Sequence, residues 1–402
     1  MNNKNEKVFP VEGIRLSSIY SGMYKKKRLD LSIMEIDIKS NVAAVFTKNK
    51  AKSPTIIFSK KNLKQKNPKY IIVNSGNANA GTGVAGYNDL IKYSNEICKR
   101  TSSCIEDILV FSTGVIGERI KVKNIINSIP TLLKNFHKNS WYEFSNAILT
   151  TDKVNKICSK SIKIKDKNIT ITGVVKGSGM IMPNMATMLS FVATDLKISK
   201  KILSSLLREI TDVSYNMITV DGETSTNDAS VLIATGKSNI NYNSLENKLK
   251  TLIKERLKEI YQTLAKKIVE DGEGATKFIT VNVKNANSIK NAKNIAMSIA
   301  NSPLVKTALF AEDPNWGRIL SAIGNSKTSD KNLPNLEIKL GKMLVFKNNK
   351  LYSKYKEYMT KEYLKNKSIE INVSYNTGVY NATVWTSDLT YEYIKINANY
   401  RS

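Results

Sequence analysis

Apolar runs that end in glycine-rich polar loops recur along the chain, and they predict a series of buried strands. The runs in "KYIIVNSGNANA" (69–80) and "DILVFSTGVIG" (107–117) are continuous, whereas "NITITGVVKGSG" (168–179) alternates apolar and polar positions before its glycines. Short continuous runs between turn residues are typical of strands buried on both faces, and alternation is typical of strands with one buried face. Each predicted strand therefore leads into a loop of small polar residues.

Two segments have helical spacing instead. "SKKILSSLLREITD" (199–212) opens on Ser and places its apolar residues three and four positions apart. Between Leu245 and Val269 the apolar positions form one stripe with Lys and Glu on the other face, and the glycines of "EDGEGATKF" end this helix. Strands and helices alternate over the whole length, which predicts an α/β or α+β fold with β-sheets packed between helices.

Composition places this fold in a globular protein. The 402 residues are 41% hydrophobic, enough to bury a large core. The longest apolar runs fall far short of the ~20 residues that a membrane-spanning helix needs. The N-terminal "MNNKNEKVFPVEGIRL" has no apolar stretch of the secretory kind. These features predict a cytoplasmic protein that does not act at a membrane.

The formal net charge of +28 invites comparison with nucleic-acid-binding proteins. However, the lysines are spread along the chain and mixed with Asn and Ile, as in "KYKEYMTKEYLKNKSIEINV". We interpret this pattern as a compositional bias that gives a solvated basic surface, and we predict no nucleic-acid partner. A positive field would also help to attract small anionic metabolites.

Cysteine and histidine usage excludes several kinds of site. Cys98, Cys104 and Cys158 are an odd number without a CxxC pair, which argues against a disulfide framework and a zinc site. The one histidine, His137, lies in "NFHKN" and is predicted to be an exposed residue of a helix or turn. A catalytic triad or a Cys–His pair requires histidine beside other specific residues, so an enzyme of this sequence needs another base.

Five loops cluster small polar residues directly after apolar runs: "NSGNANAGTG", "STGVIG", "KGSGMIMPNMAT", "TVDGETSTND" and "VEDGEGATK". Such loops leave backbone N–H groups free to bind an anion or a developing oxyanion. The nucleotide motifs are incomplete, because Val231 stands where a P-loop needs its first glycine and Met182 where a dinucleotide fingerprint needs its third. The loops therefore favour a site that is not a nucleotide site.

The bond between Ala186 and Thr187 is a candidate for self-cleavage. A free α-amino group has a pKa of about 7.7–8.0 and can activate its own hydroxyl without histidine. A Thr acquires such an amine if the preceding bond is cut, and here a small residue and a Gly/Pro-rich run precede Thr187 while a strand follows it. The alternative is a plain loop with Thr187 as the first residue of a strand, and the spacing alone leaves both open.

Several longer motifs resemble one known family. "KGSGMIMPNMATML" is similar to the self-cleavage motif of the glutamate N-acetyltransferases, or ornithine acetyltransferases, of arginine biosynthesis. The resemblance extends to "NSGNANA", "STGVIG", "LTTD", "TVDGETSTND", "DGEGATKF", "EDPNWGRI" and "IKINANYRS", in the family's order from about residue 10 to residue 402.

The resemblance implies roles for individual residues. Thr187 would be the nucleophile, freed by cleavage after Ala186, and Thr113 (hydroxyl) and Gly114 (backbone N–H) would form the oxyanion hole. The implied substrate-binding residues are Thr151, Lys176, Thr187, Glu273, Asn397 and Ser402. Lys176 suits a substrate carboxylate and Glu273 a substrate ammonium group. The roles of Asn77, Asn79, Asp221 and Asn227 stay open, as lining or bracing residues.

The implied reaction moves the acetyl group of N2-acetyl-L-ornithine to L-glutamate through an acetyl-Thr187 ester, with ping-pong kinetics and without a metal or prosthetic cofactor. Residues 1–186 and 187–402 would stay associated as N- and C-terminal chains, with two copies of each in a heterotetramer. Whether acetyl-CoA serves as a second acetyl donor is left open. The rival interpretation is an amidase or aminopeptidase of similar fold with a self-generated N-terminal nucleophile.

Three departures from the family's pattern bear on substrate preference and leave the implied nucleophile and oxyanion residues intact. Gly81 stands where the family commonly has Cys, "TTDKVNK" lacks the usual Pro, and the chain ends in Ser402 instead of Thr.

Overall fold

The computed structural model describes residues 7–164, 166–182, 188–328 and 333–399. The chain divides into two compact units: unit 1 comprises Met1–Gly177, Pro183–Asn216 and Thr224–Ile268, and unit 2 comprises Ser178–Met182, Met217–Glu223 and Val269–Ser402. The predicted division into 1–186 and 187–402 concerns a covalent cut. Because both residues of that bond lie outside the described residues, this division stays a prediction.

The described part of unit 1 contains two sheets and the helices around them. Its strands are β1 (Ile14–Ile19), β2 (Leu31–Ile36), β3 (Asn41–Phe46), β4 (Tyr70–Asn74), β5 (Ile108–Ser112), β6 (Lys156–Ile164), β7 (Lys167–Lys176), β8 (Leu189–Thr194) and β9 (Ala229–Ala234). Its helices are α1 (Pro54–Gln65), α2 (Gly83–Thr101), α3 (Val122–Lys134), α4 (Trp141–Ala147), α5 (Lys200–Asp212) and α6 (Asn247–Glu270), of which the last two residues fall in unit 2.

The first sheet has the order β1-β2-β4-β5. Its pairs are antiparallel except for β4 and β5, which run parallel in a register that places Asn74 opposite Ser112. Parallel neighbours end at the same edge of a sheet, so the loop after β4, "NSGNANA", and the loop after β5, "STGVIG", leave the sheet side by side.

The second sheet has the order β3-β9-β8-β7-β6. Strands β8 and β9 are parallel and the other pairs are antiparallel. Lys176, the last residue of β7, pairs with Leu189, the first residue of β8. The end of β7 therefore lies next to the start of β8.

Alternating side chains explain how the layers of unit 1 pack. Along β5, Leu109 and Phe111 enter a core shared with the second sheet, where the rings of Phe111 and Phe191 meet edge to face with centroids 5.3 Å apart. Ile108 and Val110 point the other way, into a core with α2 and α3. On the far face of the second sheet, the Ser190 hydroxyl of β8 shares a hydrogen bond of 2.8 Å with the Tyr215 hydroxyl, and the Tyr215 ring lies 5.2 Å from that of Tyr261 in α6. Unit 1 is thus a helix–sheet–sheet–helix sandwich, which confirms the predicted layered α/β fold.

Unit 2 is built on one mixed sheet of the order β13-β12-β11-β14-β10-β15. In the described residues its strands are β10 (Phe278–Ala286), β11 (Glu337–Leu340), β12 (Met343–Lys347), β13 (Lys350–Leu351), β14 (Ser368–Ser374) and β15 (Tyr380–Ser387). Its helices are α7 (Ile289–Asn301), α8 (Pro303–Phe310), α9 (Trp316–Gly324), α10 (Glu357–Leu364) and α11 (Tyr391–Ala398). Segments 178–182 and 217–223 join this unit through hydrogen bonds from Thr219 N–H to Trp385 and from Val220 N–H to Ile181.

Most of the predicted elements are confirmed: the strands predicted near 69–80, 107–117 and 168–179 are β4, β5 and β7, and the two predicted helices are α5 and α6. His137 is exposed as predicted. The helix or turn predicted there is wrong, because the His137 backbone exchanges hydrogen bonds of 2.9 and 3.0 Å with Leu16 of β1, the edge strand of the first sheet. Cys98, Cys104 and Cys158 are free thiols. Within the described residues, none of the helices combines the length and apolarity needed to cross a membrane.

Candidate active site

Thr113 and Gly114 follow β5 directly, where the chain turns away from the sheet. The Thr113 N–H donates to the Asn74 carbonyl at 3.0 Å, so the residue is fixed to the end of β4. Gly114 has φ of +130°, and a Cβ atom there would overlap the carbonyl carbon of Gly76 and lie 2.5 Å from the amide nitrogen of Asn77. Only glycine fits this close approach of two backbones. Among the described residues the Gly114 N–H has no hydrogen-bond acceptor, so it is free to bind an oxyanion.

Asn227 braces the two loops that carry this pair. Its buried side-chain amide donates to the carbonyls of Ala78 (2.5 Å) and Ser112 (2.9 Å), one in each loop. Asn74 adds a second bridge, since its amide donates to the Asn77 carbonyl at 2.8 Å while its oxygen accepts from the Ser112 hydroxyl at 2.6 Å. The question that the sequence left open for Asn227 is therefore answered in favour of bracing.

Asn77 and Asn79 are bracing residues as well. The Asn77 side-chain oxygen accepts from the Asn79 N–H at 2.8 Å, and its amide donates to the Glu118 carbonyl at 3.2 Å. Asn79 has φ of +48° and donates from its side chain to the Gly86 carbonyl inside α2. Both side chains are buried and satisfied by the protein, and together they fix the loop after β4.

Lys176 meets the Thr113 hydroxyl from the second sheet. Its ammonium group donates to Thr113 Oγ1 at 2.9 Å and to Thr150 Oγ1 at 3.1 Å. Because Thr113 Oγ1 accepts a hydrogen bond from a cation, its own O–H is left to donate and is made more acidic. The structure thus brings together three of the predicted site residues, Thr113, Gly114 and Lys176.

A buried ion pair lies behind Lys176, and the sequence analysis missed it. Asp152 and Lys156 have fully buried side chains joined at 2.7 Å, and Asp152 also accepts from the Gly177 N–H at 2.7 Å. Burial raises the pKa of a carboxyl group, but the ammonium groups of Lys156 and Lys176 outweigh it and hold the pKa of Asp152 well below its usual range. Asp152 is therefore an anion at any physiological pH.

Thr150, which bonds to Lys176, is the neighbour of Thr151, the residue that the resemblance implied as a substrate contact. Thr151 is half-buried. The backbone N–H of Thr150, its N-terminal neighbour, donates to the Asp152 carboxylate at 3.1 Å. The signal that could have identified this network is the spacing of Asp152 and Lys156 in "TTDKVNK", where a carboxylate and an ammonium group lie four residues apart.

In unit 2 the structure pairs two other predicted substrate residues. The Asn397 amide donates to the Glu273 carboxylate at 2.9 Å. Thr390 caps the start of α11, since its hydroxyl accepts from the Tyr393 N–H at 3.3 Å and donates to the Gly274 carbonyl at 2.7 Å. This cap ties α11 to the "DGEG" loop and brings Asn397 to Glu273.

Glu273 is also fixed from the glycine-rich segment. Its N–H donates to the Ser178 carbonyl at 2.9 Å, and a Cβ atom on Gly179 would overlap its carboxylate. Glycine at this position is what lets the carboxylate occupy its place. Glu273 is 7% exposed, so solvent reaches only a small part of this residue.

Three of the predicted functional residues, Ala186, Thr187 and Ser402, lie outside the described residues. Within the described ranges there is no group of three or more His, Cys, Asp or Glu side chains arranged to hold a metal ion.

Comparison with known proteins identifies the family. The model of the ArgJ family matches residues 15–402. The chain belongs to the ArgJ family. It is 42% identical over 410 residues to the arginine biosynthesis bifunctional protein ArgJ of Colwellia psychrerythraea, an alignment that covers 98% of this chain and 97% of that protein. Identity to the protein of the same name from Psychrobacter arcticus is 40% over 398 residues, covering 99% and 98%.

A solved structure of an arginine biosynthesis bifunctional protein ArgJ, from Bacillus halodurans, matches with a TM-score of 0.50 and 38% identity. It covers 53% of this chain and 99% of that chain. Membership of the ArgJ family confirms the enzyme class predicted from the sequence, an acetyltransferase of arginine biosynthesis.

Replacing Gly114 tests the oxyanion donor. In Gly114→Ala the new Cβ forces the loop after β5 away from Gly76 and moves the N–H. Loss of one such donor is expected to lower kcat by about 100-fold or more with little change in KM, because the bond forms only in the transition state. Steady-state acetyl-transfer kinetics measure this. The control is Gly324→Ala, where nothing lies within 4 Å of the added Cβ. A Gly114→Ala enzyme with normal kcat would contradict the assignment.

Replacing Gly179 tests the placement of Glu273. Gly179→Ala displaces the carboxylate, and the KM for the amino-acid substrates should rise by about 10-fold or more, since a hydrogen bond to a charged group contributes about 1.5–3 kcal/mol. The matched control is Gly317→Ala, whose Cβ would have its nearest neighbour, Asn315 Oδ1, at 3.6 Å. An unchanged KM in Gly179→Ala would show that Glu273 does not hold substrate.

Proposed function

We propose that this chain transfers the acetyl group of N2-acetyl-L-ornithine to L-glutamate through an ester on Thr187. The observation that supports this most is that the Thr113 hydroxyl and the Gly114 N–H are adjacent donors, because two such donors suit the oxyanion of an acyl transfer. Family membership supports the same reaction class.

The first step of the proposal is maturation. The Thr187 hydroxyl attacks the carbonyl carbon of Ala186, an O–C bond forms, and the C–N bond between the two residues breaks. The released nitrogen becomes the α-amino group of Thr187, and water hydrolyses the ester to leave a carboxylate on Ala186. The products are residues 1–186 and 187–402, which remain associated.

The second step is acetyl transfer. The α-amino group of Thr187 takes the hydroxyl proton while the oxygen attacks the acetyl carbonyl of N2-acetylornithine. Thr113 O–H and Gly114 N–H stabilise the negative oxygen, and the amino group returns the proton to the leaving nitrogen of ornithine. The amine of glutamate then attacks the acetyl-Thr187 ester by the same route in reverse, which gives ping-pong kinetics.

Substrate recognition in the proposal uses the predicted residues in two roles. Lys176 binds a substrate carboxylate and Glu273 an ammonium group, because each offers a single fixed charge. Thr151, Asn397 and Ser402 are proposed as further substrate contacts. The fixed anion of Asp152 lies beside this ammonium group.

Further parts of the proposal concern assembly and location. Since the released amine supplies the base, the reaction as proposed calls on no metal and no prosthetic group. We propose a heterotetramer of two N-terminal and two C-terminal chains that works in the cytoplasm on small molecules, without a nucleic-acid or membrane partner. Acetyl-CoA is tested as an acetyl donor alongside N2-acetylornithine.

Product analysis separates transfer from hydrolysis. With N2-acetylornithine and glutamate together, we expect ornithine and N-acetylglutamate in equal amounts, because the acetyl ester passes to the amine in preference to water. Free acetate as the only acyl product would instead indicate an amidase. A parallel reaction with acetyl-CoA and glutamate shows whether that donor enters the same ester, and Thr187→Ala serves as the inactive control.

A further inference from the structure

One carboxylate holds the backbone of Met180 and Ile181. Asp221 Oδ2 accepts from the Met180 N–H at 2.6 Å, and Asp221 Oδ1 accepts from the Ile181 N–H at 2.8 Å. All three residues belong to unit 2. The segment 178–182 is the last described stretch before Ala186 and Thr187.

Other groups of unit 2 hold the same carboxylate and the same backbone. Tyr393 O–H donates to Asp221 Oδ2 at 3.3 Å, and Glu223 N–H donates to Asp221 Oδ1 at 3.2 Å. The Ile181 carbonyl accepts hydrogen bonds from the buried Thr219 hydroxyl at 3.0 Å and from the Val220 N–H at 2.8 Å. The backbone of Ile181 is thereby bonded through both its N–H and its carbonyl.

These bonds require two acceptor oxygens at position 221. Asp221 accepts four hydrogen bonds through its two carboxylate oxygens. An Asn side chain of the same shape offers only one oxygen, and its NH₂ group would face an N–H donor. Asp221→Asn therefore breaks the bidentate contact without changing the volume of the side chain.

The backbone conformation of Met180, which these bonds hold, is unusual. Met180 has φ of +57°, the left-handed region that L residues other than Asn and Asp rarely adopt. Met180 is 41% exposed, so packing does little to impose this backbone shape. The hydrogen bond from the Met180 N–H to Asp221 fixes it directly, and the bonds of Ile181 fix the next residue.

We propose that Asp221 is a positioning residue for self-cleavage: by holding the backbone of Met180 and Ile181, it speeds cleavage of the Ala186–Thr187 bond. The inference rests on the proposed maturation step. The bond lies five residues beyond Ile181, so chain connectivity keeps Ala186 within about 18 Å of this anchor. An intramolecular attack depends steeply on how the carbonyl is presented, and a misplacement of about 1 Å can cost 100-fold in rate.

The same contact has a consequence after the cut. Residues 178–182 then belong to the N-terminal chain, while Thr219, Asp221 and Tyr393 belong to the C-terminal chain. The bonds of Asp221 therefore run between the two pieces and help to keep them associated.

The test follows cleavage of the freshly made full-length chain by intact mass over time. We expect the wild type to be cut after Ala186 and Asp221→Asn to be cut at least about 10-fold more slowly. Glu223→Gln is the matched control. It removes an exposed carboxylate two residues from Asp221 and leaves the backbone N–H of residue 223 in place, so this variant should be cut at the wild-type rate.

A rescue variant separates positioning from general damage to the fold. Glycine adopts positive φ freely, so Met180→Gly in the Asp221→Asn background should recover part of the lost rate. If Asp221→Asn does not fold, Asp221→Glu moves the carboxylate by one methylene and should show the same slowing and the same recovery.

Two results would overturn the inference while leaving the proposed function intact: wild-type cleavage rates in Asp221→Asn, or slow cleavage that Met180→Gly does not improve. A wild-type chain that stays whole would overturn the maturation step itself, and this inference with it.

Discussion

The candidate site depends on the close approach of two backbones beyond the parallel strands β4 and β5. Parallel pairing delivers both loops to one edge of the sheet, and the missing side chain of Gly114 lets its loop touch Gly76 and Asn77. Asn227 then stabilises the contact by donating to carbonyls of both loops, and Asn74 does so through the Asn77 carbonyl and the Ser112 hydroxyl. The free N–H of Gly114 and the hydroxyl of Thr113 are preorganised by this contact, and preorganised donors pay no reorganisation cost when charge develops.

A buried ion pair, Asp152 and Lys156, lies behind the lysine that contacts Thr113. A buried ion pair costs desolvation energy that its attraction does not always repay, so its presence behind Lys176 invites a functional explanation. Asp152 is fixed by Lys156 and the Gly177 N–H, and its negative charge faces the ammonium group that bonds to Thr113. The pair therefore places a fixed negative charge beside Lys176, whose ammonium group bonds to the Thr113 hydroxyl.

The sequence predicted the layered fold well because its signals are local. The uninterrupted run of β5 and the apolar stripe of α6 depend only on neighbouring residues and on burial. The motifs predicted site roles for Thr113, Gly114, Lys176, Glu273 and Asn397, and the structure groups these residues in two sets. What the sequence could not supply were contacts between distant segments. Asp152 near Lys176, Asn227 bridging two loops, and Asp221 on the Met180 backbone are pairings of residues 24 to 149 positions apart, and no local pattern encodes them. The wrong prediction for His137 has the same origin, since its pairing with Leu16 is long-range.

In the proposed mechanism Thr187 becomes a chain terminus and carries the acetyl group. Peptide mass spectrometry of the enzyme, after brief incubation with N2-acetyl-L-ornithine in the absence of glutamate, tests this directly. We expect a peptide that begins at Thr187 and bears one acetyl group on its hydroxyl, which disappears when glutamate is added. An acetyl group on another residue, or a peptide in which Ala186 and Thr187 are still joined in active enzyme, would contradict it.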